Sequence, residues 1–174
     1  MNCMEFKDPS ALESLAERLG KALLARGQCL ASAESCTGGW VAQCVTAIAG
    51  SSAWFERGFV TYSNAAKIDM LGVNPLTLDR QGAVSEAAAR AMAEGALAHS
   101  RADWSLAITG IAGPTGGSAE KPVGTVCFAW AARAGGVLAV TRYLSGDRQT
   151  IRAQAVGIAL SGLLDRLGDD PCPH

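Results

Sequence analysis

Histidine is nearly missing from this 174-residue chain: it has two, His99 and His174, and the second is the last residue. A Ser-His-Asp triad needs an imidazole beside its serine. His99 falls near the end of an alanine-rich segment, where a solvated or dipole-facing histidine is the plainer reading. A histidine-ligated metal centre is disfavoured on the same ground. Six cysteines are present (Cys3, Cys29, Cys36, Cys44, Cys127 and Cys172), but none forms a C-x-x-C pair and their spacing matches no zinc pattern. They read as reduced thiols, mostly small core residues. Charge of one sign is also lacking. Fifteen Lys and Arg stand against sixteen Asp and Glu, for a formal charge of −1. With arginines spread along the chain, nothing marks a nucleic-acid surface. Apolar runs stop well short of membrane-spanning length, and Met1–Lys7 carries Glu5 and no signal-like apolar stretch. The expectation is a cytoplasmic protein that binds neither membrane nor nucleic acid.

What is present is the pattern of an α/β domain. Asp8-Pro9 is a helix start, followed by Leu12, Leu15, Leu19 and Leu23 at helical spacing and a stop at Gly27. Residues 28–33 read as a buried strand, and 33–39 (AESCTGG) as a turn feeding a helix to about Ile48. A second strand is expected at 57–63, then a helix capped by Asn64 and ended by Gly72. Pro75 to Gly82 reads as a connector, and Ser85 caps a helix to about His99. Strands follow at 104–109, 123–132 and 137–144, the last two as a hairpin across Ala134-Gly135-Gly136. Asp147 caps a final helix to about Leu167. Early alternation and a late hairpin predict one domain, ordered over about 8–167. Its sheet should be mixed but mostly parallel, between two helical layers, as a three-layer α/β/α sandwich.

Three segments look unlike ordinary connectors. AESCTGG sits where a strand enters a helix, so free amides and the positive helix end gather there, with Ser35 and Thr37 hydroxyls and two glycines. It reads as an anion cradle or nucleophile turn, with a glycine-rich helix start as the plain alternative. Residues 50–67 (GSSAWFERGFVTYSNAAK) place Ser51, Ser52, Tyr62 and Lys67 in one loop–strand–helix unit. A lysine and a tyrosine aimed at one point can move protons if burial or charge lowers their pKa; on residue type alone, a solvated lysine and a packed tyrosine are the commoner case. Residues 108–118 (ITGIAGPTGGS) run from a strand into a long glycine-rich loop, where ligands of α/β folds collect. With histidine out of reach, the base of any hydrolytic site is Lys67, Tyr62 or a carboxylate such as Glu34. Cys36 is a rival nucleophile. Its side chain points elsewhere from that of Ser35, and it reads as packing.

AESCTGGW, GSSAWFERGFVTYSNAAK, LGV, GAVSE, ITGIAGPTGGSAEKPVGT and SGDR occur in this order. Together they resemble the CinA C-terminal family, in its stand-alone nicotinamide-nucleotide amidase form, over about Leu15 to Leu164. The resemblance implies an α/β/α fold, a homodimer, and hydrolysis of nicotinamide mononucleotide to nicotinic acid mononucleotide and ammonia, with no metal or organic cofactor. The additional N-terminal domain of longer family members has no counterpart in this sequence. The family's motif residues fall on Ser35, Ser52, Tyr62 and Lys67, with Arg148 of SGDR as a further candidate. Substrate contacts are expected from Glu34, Thr37, Gly38 and Gly39, from Thr109, Gly110, Ala112, Gly113 and Gly117, and from Arg148. Either serine can be the nucleophile. Ser52 is slightly preferred because it shares its segment with Tyr62 and Lys67. A pyridine-nucleotide sensor without turnover, or an amidohydrolase of another small amide, are the alternatives.

Overall fold

A computed structural model describes residues 9–169. One five-stranded sheet is built from β1 (Leu30–Glu34), β2 (Phe55–Val60), β3 (Trp104–Gly110), β4 (Thr125–Ala132) and β5 (Val137–Tyr143), in the order β2-β1-β3-β4-β5. β1 pairs in parallel with β2 and β3, and β4 is antiparallel to both its neighbours. Four strands therefore point one way and only β4 runs back, as a late hairpin on a parallel sheet requires.

Among the described residues six α-helices cover the two faces: α1 (Pro9–Ala25), α2 (Trp40–Thr46), α3 (Asn64–Leu71), α4 (Pro75–Gln81), α5 (Glu86–Ala98) and α6 (Arg148–Asp169). The leucine stripe of α1 is buried throughout. It packs with α2, α6 and the side chains of Leu30, Leu106, Ile108, Val126 and Phe128. The intervening strand residues, Ala31, Ala33, Ala107, Ala129 and Ala131, face the opposite way, against α3, α4 and α5. Strand alternation thus assigns each residue of the buried central strands to one of two cores. The second core is rich in alanine on both strand and helix, which lets α5 lie close to the sheet.

Several boundaries differ from the sequence expectation. Pro75–Gln81 is a helix, not a plain connector: Asn74 Oδ1 accepts from the Leu76 amide at 2.9 Å, Pro75 takes the first turn and Gly82 follows the end. α3 is capped by Ser63, whose Oγ accepts from the Ala66 amide at 3.1 Å, and Asn64 is already helical. β1 starts at Leu30, β2 occupies 55–60, and α2 ends at Thr46. The expected cap at Asp147 is present, its carboxylate accepting from the Thr150 amide at 2.7 Å. The cap expected at Asp8 lies outside the described residues. α6 continues through Gly168 to Asp169, beyond the expected end.

The connections place the site. The chain leaves β1 through α2 on one face, returns by β2, and reaches β3 through α3, α4 and α5 on the other. Connections diverge between the carboxyl ends of β1 and β3, which opens a crevice there.

Candidate active site

Ser35 is the first residue past β1. Its amide donates to the Ile108 carbonyl of β3 at 2.9 Å, and the Thr61 amide, just past β2, donates to the Glu34 carbonyl at 2.7 Å. Three strand ends are therefore locked together around Ser35. Alternation along β1 then sends neighbouring side chains to opposite faces.

Ser35 faces α3. One turn into that helix, Lys67 turns inward, with its Nζ 3.0 Å from Ser35 Oγ and donating to the Thr61 carbonyl at 2.8 Å. Lys67 is 1% exposed. Among the described residues no carboxylate lies within ion-pair reach of it. Burial lowers its pKa from the ordinary lysine value, against a smaller opposing pull from the Cys36 thiol. An amine with a depressed pKa against a serine hydroxyl can take the hydroxyl proton, the requirement for an activated nucleophile.

Glu34 faces the other way and is fully buried. Its carboxylate accepts from the Thr37 hydroxyl at 2.7 Å and from the amides of Gly39, Val41 and Ala42 at 3.1, 3.0 and 3.0 Å. The amino end of α2, expected to receive an anionic substrate, is filled by the protein's own anion. Glu34 and Thr37, both expected as substrate contacts, are fully buried and hydrogen-bonded to each other. Gly38 and Gly39 take the left-handed backbone (φ +62 and +96) that the turn between Ser35 and α2 demands. They border an open cavity of about 480 Å3 with Trp40, Gln43, Gln149 and Arg152.

The loop after β3 also differs from a simple cradle. Thr109 is buried, with its hydroxyl donating to the Ala83 carbonyl at 2.7 Å, and Ala112 is buried as well. Added Cβ atoms would meet the Val126 side chain at 2.8 Å from Gly110 and the Val123 amide at 2.8 Å from Gly117. These glycines serve close packing against the approach to β4. Gly113 contributes its carbonyl, which accepts from Arg148 Nη1 at 2.7 Å. Arg148 Nη2 donates to the Tyr62 hydroxyl at 2.9 Å. Tyr62 is 61% exposed and is held by Arg148, so it stands at the rim of the crevice.

Ser52 is not brought to Lys67. It lies exposed in a 3-10 turn, Ser51–Ala53, ahead of β2, while Lys67 is hydrogen-bonded to Thr61 just past β2. The strand between them, at about 3.3 Å per residue, separates the two ends by roughly 17 Å. Proximity in sequence favoured Ser52, but an intervening strand carries the chain from one end of the sheet to the other. Cys36 packs into the core between the sheet, α1, α2 and α6, where burial pushes its thiol up to about 11.

The sequence reading missed Arg152. It lies one turn beyond Arg148 on α6, and its guanidinium sits 5.3 Å from the Trp40 ring centroid. Its Nε donates to the Cys36 carbonyl at 3.1 Å and Nη2 to the Thr37 carbonyl at 2.8 Å. The four-residue interval between the two arginines, at a helix start, was the available signal.

A serine hydrogen-bonded to a buried lysine thus stands past the carboxyl end of β1 in a mixed sheet with helices on both faces. The chain belongs to the CinA C-terminal domain family, whose model matches residues 12–167. It is 57% identical over 154 residues to the nicotinamide-nucleotide amidohydrolase PncC of Escherichia coli K12, covering 88% of this chain and 93% of that protein. It is 48% identical over 153 residues to the protein of the same name from Pseudomonas putida, covering 88% and 95%. The crystal structure of a competence/damage inducible protein from Agrobacterium tumefaciens superposes with a TM-score of 0.86 at 52% identity, over 90% of this chain and 95% of that one.

Proposed function

We propose that this protein hydrolyses the carboxamide of nicotinamide mononucleotide, giving nicotinic acid mononucleotide and ammonia, with Ser35 as nucleophile and Lys67 as its base. The observation that carries the reading is the 3.0 Å approach of Lys67 Nζ to Ser35 Oγ in a buried setting. The names of the curated relatives supply the reaction class, hydrolysis of an amide C–N bond, and the substrate.

The steps follow from the residues. Neutral Lys67 takes the Ser35 hydroxyl proton as Oγ bonds to the amide carbon, and negative charge gathers on the former carbonyl oxygen. The amide of Cys36, which follows the nucleophile in a strand–turn–helix, is the proposed donor to that oxygen. Lys67 then returns its proton to the departing nitrogen, the C–N bond breaks and ammonia leaves. In the second half Lys67 takes a proton from water, the hydroxide attacks the acyl carbon, and Ser35 departs as the proton passes back to Oγ. The pyridinium ring withdraws electrons and lowers the activation that the carbonyl needs. Tyr62, accepting from Arg148, keeps its own phenolic proton for the substrate at the crevice mouth, and Arg148 supplies positive charge for the phosphate. The reaction needs no metal or organic cofactor, and we place it in pyridine-nucleotide recycling, in the cytoplasm, with the chain acting as one amidase domain in a homodimer.

The test is ammonia release from nicotinamide mononucleotide by the purified protein with EDTA present, beside Lys67→Ala. Release that survives EDTA and disappears in the variant is the expected result. Binding without release would make the chain a nucleotide sensor, and neither binding nor release would reject this substrate.

A further inference from the structure

The turn that carries Ser35 is gripped from two sides by opposite charges. On one side Glu34 collects the Thr37 hydroxyl and three amides. On the other, Arg152 collects the carbonyls of Cys36 and Thr37, the two residues after Ser35. Arg152 belongs to α6, far away in sequence, and stacks on Trp40 at the start of α2. Among the described residues it has no carboxylate within ion-pair reach. Its charge is balanced by carbonyl dipoles. One turn earlier, Arg148 of the same helix holds Tyr62 and the Gly113 carbonyl. The first two turns of α6 therefore contact all three segments that form the crevice.

We propose that Arg152 is a positioning residue for the nucleophile. By fixing the carbonyls of Cys36 and Thr37 with a planar fork, it sets the backbone just after Ser35 and so the place of Oγ against Lys67 Nζ. The claim rests on Ser35 being the nucleophile. Guanidinium geometry matters: two donors in one plane reach two successive carbonyls, which a lysine ammonium on a flexible stem does not reproduce. Displacement of a reacting group by about 1 Å can cost on the order of 100-fold in rate.

Arg152→Gln and Arg152→Lys separate positioning from substrate binding. For nicotinamide mononucleotide the expected result in Arg152→Gln is a fall in kcat of about 10- to 100-fold with KM within about threefold of wild type. Arg152→Lys, which keeps stem and charge if the glutamine variant folds poorly, is expected to recover only part of kcat. The rate at which a phosphate-free arylsulfonyl fluoride labels Ser35, read by mass spectrometry, should fall in parallel with kcat. A raised KM with unchanged kcat and unchanged labelling would overturn the proposal in favour of a phosphate-binding arginine. Wild-type values throughout would reduce Arg152 to packing. If the wild-type protein labels at Ser35 but does not turn over nicotinamide mononucleotide, the amidase reading fails, and the labelling rates of the variants still decide the role of Arg152.

Discussion

The two ends of the sheet hold two different hollows, and the larger lies at the end away from Ser35 and Lys67. At the amino end of β3 an open cavity of about 550 Å3 is lined by Trp104, Trp130, the β4–β5 turn and Arg166. Among the described residues its lining holds no serine, cysteine or carboxylate, and the one cation there, Arg166, lies 4.2 Å from the Trp130 ring centroid. At the carboxyl end a buried lysine touches a serine, a buried carboxylate holds a helix start, and two arginines of α6 tie three segments together. Cavity size reports where packing stops. Reactive capacity follows from ionisable groups kept out of water, and of the residues around these two hollows the fully buried lysine without a carboxylate partner, Lys67, stands at the carboxyl end. The contrast is sharpest between the serines: Ser35 meets Lys67, and Ser52 stands at the other end of β2.

That contrast breaks first on a pair of alanine substitutions, where the largest effect is expected. Ser35→Ala should lower kcat for nicotinamide mononucleotide by about 1,000-fold or more, because among the described residues the one hydroxyl hydrogen-bonded to Lys67 is that of Ser35. Ser52→Ala should leave kcat/KM within about threefold. The reverse pattern, measured on variants with wild-type melting curves, would move the nucleophile back to Ser52.

A pH profile tests the smaller, electrostatic part of the same contrast. Burial disfavours the charged form of Lys67, so its folded-state pKa is below the unfolded value of about 10.4. Protonated Lys67 cannot accept the Ser35 proton. kcat/KM should therefore rise with pH as Lys67 loses its proton, along a limb centred below that unfolded value. Arg cannot deprotonate in this range, so Lys67→Arg should be inactive at every pH tested. The stability sign runs the same way. The unfolded chain binds the proton more readily, so this group's burden on folding is full below the folded pKa and fades as pH rises towards the unfolded one. An acid limb unchanged in Lys67→Arg would assign it to another group.

Much of this architecture was legible because periodicity and caps are local. The leucine stripe of α1, the strand at 104–109, the hairpin and the Asp147 cap stand where the sequence put them, within a few residues. The helix Pro75–Gln81 escaped because one short turn pair carries little periodicity, although Asn74-Pro75 and Gly82 are a proper start and stop. In the site, the turn at Ser35 was legible from its small residues at a helix start, whereas residue type alone left Lys67 a solvated lysine and only the resemblance to a family singled it out. What one sequence cannot express is direction. Whether Glu34 offers its carboxylate to a ligand or to the amides of α2 depends on which face of β1 it occupies. That the glycines after β3 answer Val123 and Val126 is a matter of packing between segments. Arg152 was hidden for a similar reason, since its partners are main-chain carbonyls over a hundred positions away, which carry no residue signature.

The smallest expected effect lies at the amino end and serves as the control. Arg166 sits over Trp130, whose Nε1 donates to the Ala159 carbonyl at 2.8 Å and whose ring lies beside Gly162, so the arginine covers the outer side of an indole built into α6. A partly exposed cation–π contact contributes about 0.5–1 kcal/mol, and the arginine stem adds packing. Arg166→Ala should lower unfolding stability by about 1 kcal/mol in denaturant titration and leave kcat and KM for nicotinamide mononucleotide unchanged. The wide cavity then behaves as a gap in packing. A loss of kcat in Arg166→Ala without a shift in the unfolding midpoint would mean that this end of the molecule takes part in turnover, and the division between the two ends would have to be given up.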